Sequence, residues 1–156
     1  MIIKERTVAK MLVAAGFYHM DEFSVEAAED RVAHFYQAFR ATNAITTKTR
    51  MFYAAFHVIR TFGSHYNFEL WERVQYALEN TEDIIFKEVP RRRIAYTWVG
   101  DVLYAKEHHY EAIYDYLAEC NYMLSDWPRE TYIMNSSSST GYIIEIQLPF
   151  IPRTRI

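Results

Sequence analysis

The chain has 156 residues, of which 51% are hydrophobic and 24% charged, and its formal net charge is −3. This composition is typical of a folded globular protein and excludes a disordered chain, so we expect a single domain over residues 1–156. The acidic balance also argues against a protein that binds nucleic acid over its whole surface.

Glycine and proline are scarce, with four of each, and this favours long helices over a many-stranded sandwich. The single cysteine, Cys120, excludes an intramolecular disulfide and a cysteine-based zinc site. We expect it to be a small buried residue within the last helix. The charges in residues 1–6 do not fit a signal peptide, and no stretch approaches 18 apolar residues. The sequence therefore predicts a cytoplasmic protein without membrane spans.

Two helices are predicted at the start of the chain, where apolar residues recur at helical spacing. The first runs from Arg6 to about Phe17, and Gly16 lies near its predicted end. The second begins after Ser24, a residue type typical of an N-cap, and ends near Asn43. The stripe expected to face the core in this second helix is Val25, Ala28, Val32, Phe35 and Phe39.

Two more helices are predicted from the same spacing. One covers residues 51–62 after a cap at Thr46 or Thr47, and Gly63 follows it. The next covers residues 70–78 after a cap at Asn67. Residues 81–90 fit either a helix start or a short strand, and Pro90 ends either one.

The residue pattern of the C-terminal part predicts a β-hairpin instead of a helix. Its strands are residues 131–134 and 141–148, and the serine-rich residues 135–140 form the loop. Pro149 and Pro152 indicate that the second strand does not continue as a central strand.

Residues 95–116 allow two interpretations. Gly100-Asp101 suits a two-residue turn between strands at 96–99 and 102–104. As helices, residues 98–104 and 110–116 (Trp-Val-Gly-Asp-Val-Leu-Tyr and Tyr-Glu-Ala-Ile-Tyr-Asp-Tyr) resemble one tetratricopeptide repeat over 95–127, and we prefer this helical hairpin. The resemblance implies a scaffold that binds proteins or peptides, with Gly100 at a close approach of two helices. No second copy follows at a period near 34.

Together these patterns predict a mainly α protein. We expect a compact bundle of about six helices over residues 5–127, followed by a small C-terminal hairpin and tail over 130–156.

Motifs for catalysis are missing, because the four glycines are isolated and no HExxH pattern occurs. Two sets of polar residues are nevertheless candidates for acid–base chemistry. They are Tyr53, His57 and Glu69 in the first set, and Glu107 and His108 in the second. Structural or solvent-facing roles are the simpler interpretation for both sets, and we predict no metal and no cofactor.

Aromatic residues make up 17% of the chain, more than the predicted core stripes need. Exposed tyrosines beside arginines are typical of protein interfaces. The predicted partner-binding residues are Tyr36, Tyr66, Tyr76, Tyr114, Tyr132, Arg91, Arg92 and Arg93.

The function favoured by these patterns is protein–protein interaction, as an adaptor, inhibitor or assembly subunit of the kind that viruses or mobile elements encode. A homo-oligomer is the simplest form. The first alternative is a nucleic-acid-associated regulator that uses Arg91–Arg93, and the second is a small enzyme with Tyr, His and Glu in acid–base roles.

Overall fold

The structure is a computed structural model that describes residues 1–22, 24–47, 51–59, 65–100, 106–134 and 141–154, with the backbone alone at 51–59, 65, 66, 134 and 142. These residues form an α+β fold, so the prediction of a mainly α bundle of about six helices is wrong. In chain order the elements are β1 (Lys4–Val8), β2 (Met11–Met20), α1 (Val25–Ala41), β3 (Met51–Ile59), β4 (His65–Arg73), β5 (Ile85–Val89), β6 (Arg92–Val99), α2 (Lys106–Glu119), β7 (Tyr122–Leu124), β8 (Arg129–Met134) and β9 (Tyr142–Pro152).

The chain divides into two compact units. Residues Lys10–Val89 form the inserted unit, and Met1–Ala9 together with Pro90–Ile156 form the split unit. The prediction of a single domain stays a prediction. Neither α1 nor α2, the two helices of the described residues, is long and apolar enough to cross a membrane.

The inserted unit is an antiparallel sheet in the order β3-β4-β2-β5, with α1 against one face. The helix confirms the predicted cap, because the Ser24 hydroxyl accepts a hydrogen bond from the Ala27 amide at 3.0 Å. Phe35 is fully buried, as the apolar stripe predicted, whereas Val25 is exposed. Gly16 on β2 lies under the helix, where an added Cβ would be 2.8 Å from the Phe35 ring.

The helices predicted at residues 6–17, 51–62 and 70–78 are wrong, because the described residues there form β1 and β2, β3 as far as Ile59, and the end of β4 as far as Arg73. β2 shows the reason, since it lies between β4 and β5 and its Val13, Ala14 and Ala15 are all fully buried. A strand buried on both faces carries a nearly continuous apolar run. Such a run satisfies helical spacing as well as strand spacing, so periodicity cannot separate the two.

The split unit is an antiparallel sheet in the order β8-β9-β6-β1, and β7 also pairs with β9. The predicted hairpin is confirmed by the pairing of β8 with β9, although residues 135–140 lie outside the described residues. β9 is nevertheless a central strand that continues through Pro149, against the prediction. The Pro149 carbonyl accepts a hydrogen bond from the Ser125 amide. The position without an N–H therefore lies where the partner strand of β9 changes from β8 to β7, and the sheet tolerates a proline there.

The resemblance to a tetratricopeptide repeat is wrong. Residues 96–99 belong to strand β6, and the helical part begins only at Lys106. An added Cβ at Gly100 would have no atom within 4 Å, so neither α1 nor α2 of the described residues approaches there. The proposed second strand at 102–104 lies outside the described residues. Cys120 follows the end of α2 and is exposed, not buried.

Both units follow the same plan, which the sequence did not indicate. In each, a central strand leads into a helix that is followed by a pair of strands, the second of which pairs with the central strand. In the split unit the short strand β7 comes between the helix and this pair. These elements are β2-α1-β3-β4 in the inserted unit and β6-α2-β8-β9 in the split unit. The edge strand on the other side of the central strand is β5 in the first and β1 in the second.

Candidate functional site

Each unit carries a buried glutamate at the same place in its sheet. Glu69 on β4 pairs with Phe17 on β2, and Glu145 on β9 pairs with Trp98 on β6. Both glutamates lie on the sheet face away from the helix, because their strand neighbours pack on the helix side. Glu69 is 5% exposed and Glu145 is 4% exposed. Because a buried carboxylate is costly without partners, the groups around each one define a candidate site.

The same register places a cation on each edge strand. Lys87 on β5 pairs with Val13, four residues before Phe17 on the central strand. Arg6 on β1 pairs with Ile94, which is likewise four residues before Trp98. In the register of these strands, Lys87 therefore corresponds to Arg6, and Glu69 corresponds to Glu145. We call the two groups the Glu69 centre (Glu69, Lys87, Trp71 and Phe17) and the Glu145 centre (Glu145, Arg6, Trp98 and Gln147).

The Glu69 centre surrounds a cation with a carboxylate and two rings. Lys87 forms an ion pair with Glu69, and the Trp71 indole donates a hydrogen bond to the same carboxylate oxygen at 3.1 Å. The Lys87 ammonium is 5.1 Å from the Trp71 ring centroid and 5.4 Å from that of Phe17. A cation over aromatic faces and beside a carboxylate is attracted by all three groups.

A cavity of about 350 Å³ adjoins this centre. It is lined by Phe17, Tyr18, His19, Asn67, Phe68 and Glu69. Phe17 is 56% exposed, which is unusual for a ring on a strand that is otherwise largely buried. Since strand residues alternate between faces, Phe17, His19, Asn67 and Glu69 share the sheet face away from the helix. Tyr18 and Phe68 lie on the other face, where the Tyr18 hydroxyl is 2.9 Å from Nδ1 of His34 on α1. On the face of Glu69 the cavity therefore combines a carboxylate with the ring of Phe17.

His19 on the cavity wall is held between two oxygens. Its Nδ1 is 2.7 Å from Oδ1 of Asn67, and its Nε2 is 2.8 Å from Oδ1 of Asp21. The hydrogen bond to Asp21 is the main cause that raises the pKa of His19, and the bond to Asn67 adds to it. Only the doubly protonated ring donates to both oxygens, so this arrangement favours the imidazolium form.

The Glu145 centre is closed by donors. Arg6 forms an ion pair with Glu145, the Trp98 indole donates to one carboxylate oxygen at 2.8 Å, and the Gln147 amide donates to the other at 2.8 Å. The Arg6 guanidinium also lies 4.3 Å from the centroid of the Tyr96 ring. Donors from β1, β6 and β9 therefore occupy both carboxylate oxygens, and the centre crosslinks three strands.

The candidate acid–base residues do not all lie at one site. Glu69 is at the centre described above, and the register places Tyr53 opposite Trp71 and His57 opposite Asn67 on the neighbouring strand β3. The side chains of Tyr53 and His57 lie outside the described residues. Glu107 and His108 are exposed on the first turn of α2. Within the described part of the chain, no group of His, Cys, Asp and Glu is arranged to hold a metal ion.

The predicted partner-binding tyrosines do not share one environment. Tyr36 is half-buried and donates to Glu72 at 3.2 Å, and Tyr132 is half-buried and donates to Glu130 at 2.8 Å. Tyr76 and Tyr114 are exposed. The side chain of Tyr66 lies outside the described residues.

The arginine triplet does not form a continuous basic patch. Arg92 is only 9% exposed and donates to the Pro90 carbonyl at 3.1 Å. Arg91 is exposed, and Arg93 is exposed but forms an ion pair with Glu5 at 3.0 Å. Residues along a strand alternate between the two faces, so three consecutive arginines cannot all point to one partner.

Comparison with known proteins gives the fold and no family. No protein-family model and no curated protein sequence matches the chain. The C-terminal domain of EcmrR matches with a TM-score of 0.83 and 18% identity, over 97% of this chain and 98% of that one. The fold is similar to that of this EcmrR domain.

EcmrR in a complex with DNA also matches, with a TM-score of 0.84 and 17% identity, and there the chain spans only 58% of its length. SAV2435 bound to tetraphenylphosphonium matches with a TM-score of 0.56 and 14% identity, over 97% of this chain and 94% of that one. At 14% to 18% identity, these likenesses show the fold alone. Self-association and a cytoplasmic location stay predictions.

Proposed function

We propose that the chain is a ligand-sensing domain of a transcription regulator, and that it binds an organic cation with aromatic or apolar groups at the Glu69 centre. The observation that carries this proposal is the buried Glu69 on the wall of a cavity of about 350 Å³, beside the rings of Trp71 and Phe17. A carboxylate neutralises a cation, and the faces of aromatic rings attract it.

The size and lining of the cavity fit this class of ligand. Pockets for small molecules begin at about 300 Å³ and are mostly apolar, with a few polar groups that fix orientation. On the sheet face of Glu69 the polar groups are Glu69, His19 and Asn67, and the ring of Phe17 lies beside them. A single buried carboxylate selects against anions, because an anionic ligand beside it would be repelled.

Two relatives of the fold support the proposal. SAV2435 was solved with tetraphenylphosphonium, an apolar cation with four phenyl groups. EcmrR, whose C-terminal domain shares this fold, was solved in a complex with DNA. A regulatory role through ligand sensing differs from the predicted use of Arg91–Arg93 on nucleic acid, because the buried Arg92 is not available for such contacts.

Titration calorimetry with tetraphenylphosphonium tests the proposal. The protein is expected to bind this probe, and Glu69→Gln is expected to weaken binding by about tenfold or more, since the carboxylate charge is lost. Glu88→Gln is the matched control, because Glu88 lies on β5 and is exposed, 4.0 Å from Lys10. A protein that does not bind the probe, or equal weakening by both variants, contradicts the proposal.

A further inference from the structure

We propose that Lys87 is an internal competitor for the ligand, which holds the Glu69 centre in the unliganded state and must leave it when an organic cation binds. This inference rests on the proposed function. It is carried by the place of the Lys87 ammonium, which already has the contacts that a cationic ligand needs. These are the ion pair with Glu69 and positions 5.1 Å and 5.4 Å from the ring centroids of Trp71 and Phe17.

Two cations cannot share this centre. A ligand cation beside Glu69 would lie next to the Lys87 ammonium, and like charges repel strongly in a partly buried site. The side chain of Lys87 is 34% exposed and comes from β5, the edge strand of its sheet. A long lysine side chain on an edge strand has room to swing its ammonium into water, so its departure does not require the sheet to open.

The split unit also has a cation at the register position of Lys87, so this position carries a positive charge in both units. Arg6 occupies the equivalent position against Glu145, on the equivalent edge strand. An arginine holds a carboxylate with a planar group of several donors, whereas lysine offers one compact, strongly hydrated charge. Lysine at the Glu69 centre therefore neutralises the buried carboxylate for folding and can still be exchanged.

Competition has a consequence for specificity. A ligand must replace everything that the ammonium contributes, so a small ammonium ion gains little by binding, whereas a bulky aromatic cation gains additional contacts with the cavity. Lys87 thus sets a threshold that favours large apolar cations over small hydrophilic ones.

The test is a calorimetric comparison of tetraphenylphosphonium binding by the full chain and three variants at one ionic strength. Lys87→Met removes the competing charge and is expected to lower the dissociation constant by about tenfold. Lys87→Arg keeps the charge and is expected to bind no better than the parent. Lys10→Met, which removes an exposed lysine of the same unit, is expected to leave binding unchanged.

The outcomes separate this inference from the proposed function. Binding that Glu69→Gln abolishes but Lys87→Met does not tighten overturns the role of Lys87 and leaves the function standing. No binding by the parent or by any Lys87 variant overturns both. Binding by the parent that Lys87→Met tightens about tenfold, with Lys87→Arg unchanged, supports the competition.

A measurement on the parent protein keeps the test decisive even if Lys87→Met does not fold. Acylation of Lys87 by a water-soluble active ester, followed by mass spectrometry, reports how far its amine is free. Saturating tetraphenylphosphonium is expected to increase this labelling severalfold, with Lys10 as the internal reference. Unchanged labelling of Lys87 with the probe bound overturns the inference.

Discussion

The two units place the same pair of charges at the same register and surround them differently. In the Glu145 centre, arginine, tryptophan and glutamine side chains from three strands donate to both carboxylate oxygens. In the Glu69 centre, the cation is a lysine, the Trp71 indole donates to the same carboxylate, and a cavity adjoins the group. The same plan therefore holds an arginine-based crosslink in one unit and, as we propose, an exchangeable lysine in the other.

This difference shows that burial of a carboxylate does not by itself identify a binding site. Both glutamates are about equally buried, yet their neighbours decide whether the charge serves stability or recognition. A carboxylate paired with an arginine that is anchored among further donors stabilises the fold, whereas one paired with a flexible lysine ammonium beside a cavity can exchange that ammonium for another cation.

Replacing the two cations gives the largest expected contrast. Arg6→Met should lower the free energy of unfolding by about 2–3 kcal/mol, since a buried carboxylate loses its ion pair but Arg6 is itself partly exposed. Lys87→Met should cost about 1–2 kcal/mol, because a lone ammonium is more easily replaced by water. Urea denaturation measures both. An equal or larger loss for Lys87→Met would break the comparison.

Two glycines test the packing of the units. Gly16→Ala should cost about 1–2 kcal/mol, because the new Cβ would be 2.8 Å from the ring of Phe35, which is fully buried and cannot move aside. Gly100→Ala in the split unit should change stability by less than about 0.5 kcal/mol, since a Cβ there has open space. The same urea experiment decides, and a loss at Gly100 as large as at Gly16 contradicts the packing described.

The smallest expected effect is the dependence of ligand affinity on pH, and it concerns the cavity beside the Glu69 centre. Hydrogen bonds to Asp21 and Asn67 raise the pKa of His19, so its positive charge persists to higher pH than usual and disappears as pH rises through that pKa. An imidazolium on the cavity wall repels a cation, so tetraphenylphosphonium affinity should rise by about threefold across this transition. Its contribution to folding has the opposite sense, because a raised histidine pKa stabilises the folded state only at pH below it.

Calorimetry between about pH 6 and pH 9 checks this expectation. His19→Asn should remove the rise in affinity, whereas His108→Asn, at an exposed position on α2, should preserve it. A pH profile that is the same in the parent and in His19→Asn would exclude His19 as its source.

Local signals in the sequence were reliable where one element decides its own structure. The cap at Ser24 and the stripe through Phe35 and Phe39 predicted α1, and the alternation on either side of residues 135–140 predicted the hairpin. The scarcity of glycine was misleading, because asparagine replaces it. Asn43 and Asn121 adopt positive φ angles of 59° and 57° just after the two helices, where glycine is common.

The candidate site depends on pairing between distant strands, which local spacing does not encode. Glu69 was singled out, but its partners Lys87 and Phe17 come from β5 and β2. Glu145 was missed, because an acid that alternates with Ile144 and Ile146 is expected to face water. The sequence does contain one signal, an acidic residue within each of two apolar strands. That signal indicates a buried carboxylate only when the side chains on both faces of the sheet are known to be buried.

The most direct test of the account compares Glu69→Gln with Glu145→Gln in the same two assays, tetraphenylphosphonium binding and urea denaturation. We expect Glu69→Gln to weaken binding by about tenfold with a small loss of stability, and Glu145→Gln to lower stability by about 2 kcal/mol or more while binding is retained. The opposite assignment, in which Glu145→Gln abolishes binding and Glu69→Gln leaves it intact, would contradict the division of roles between the two centres.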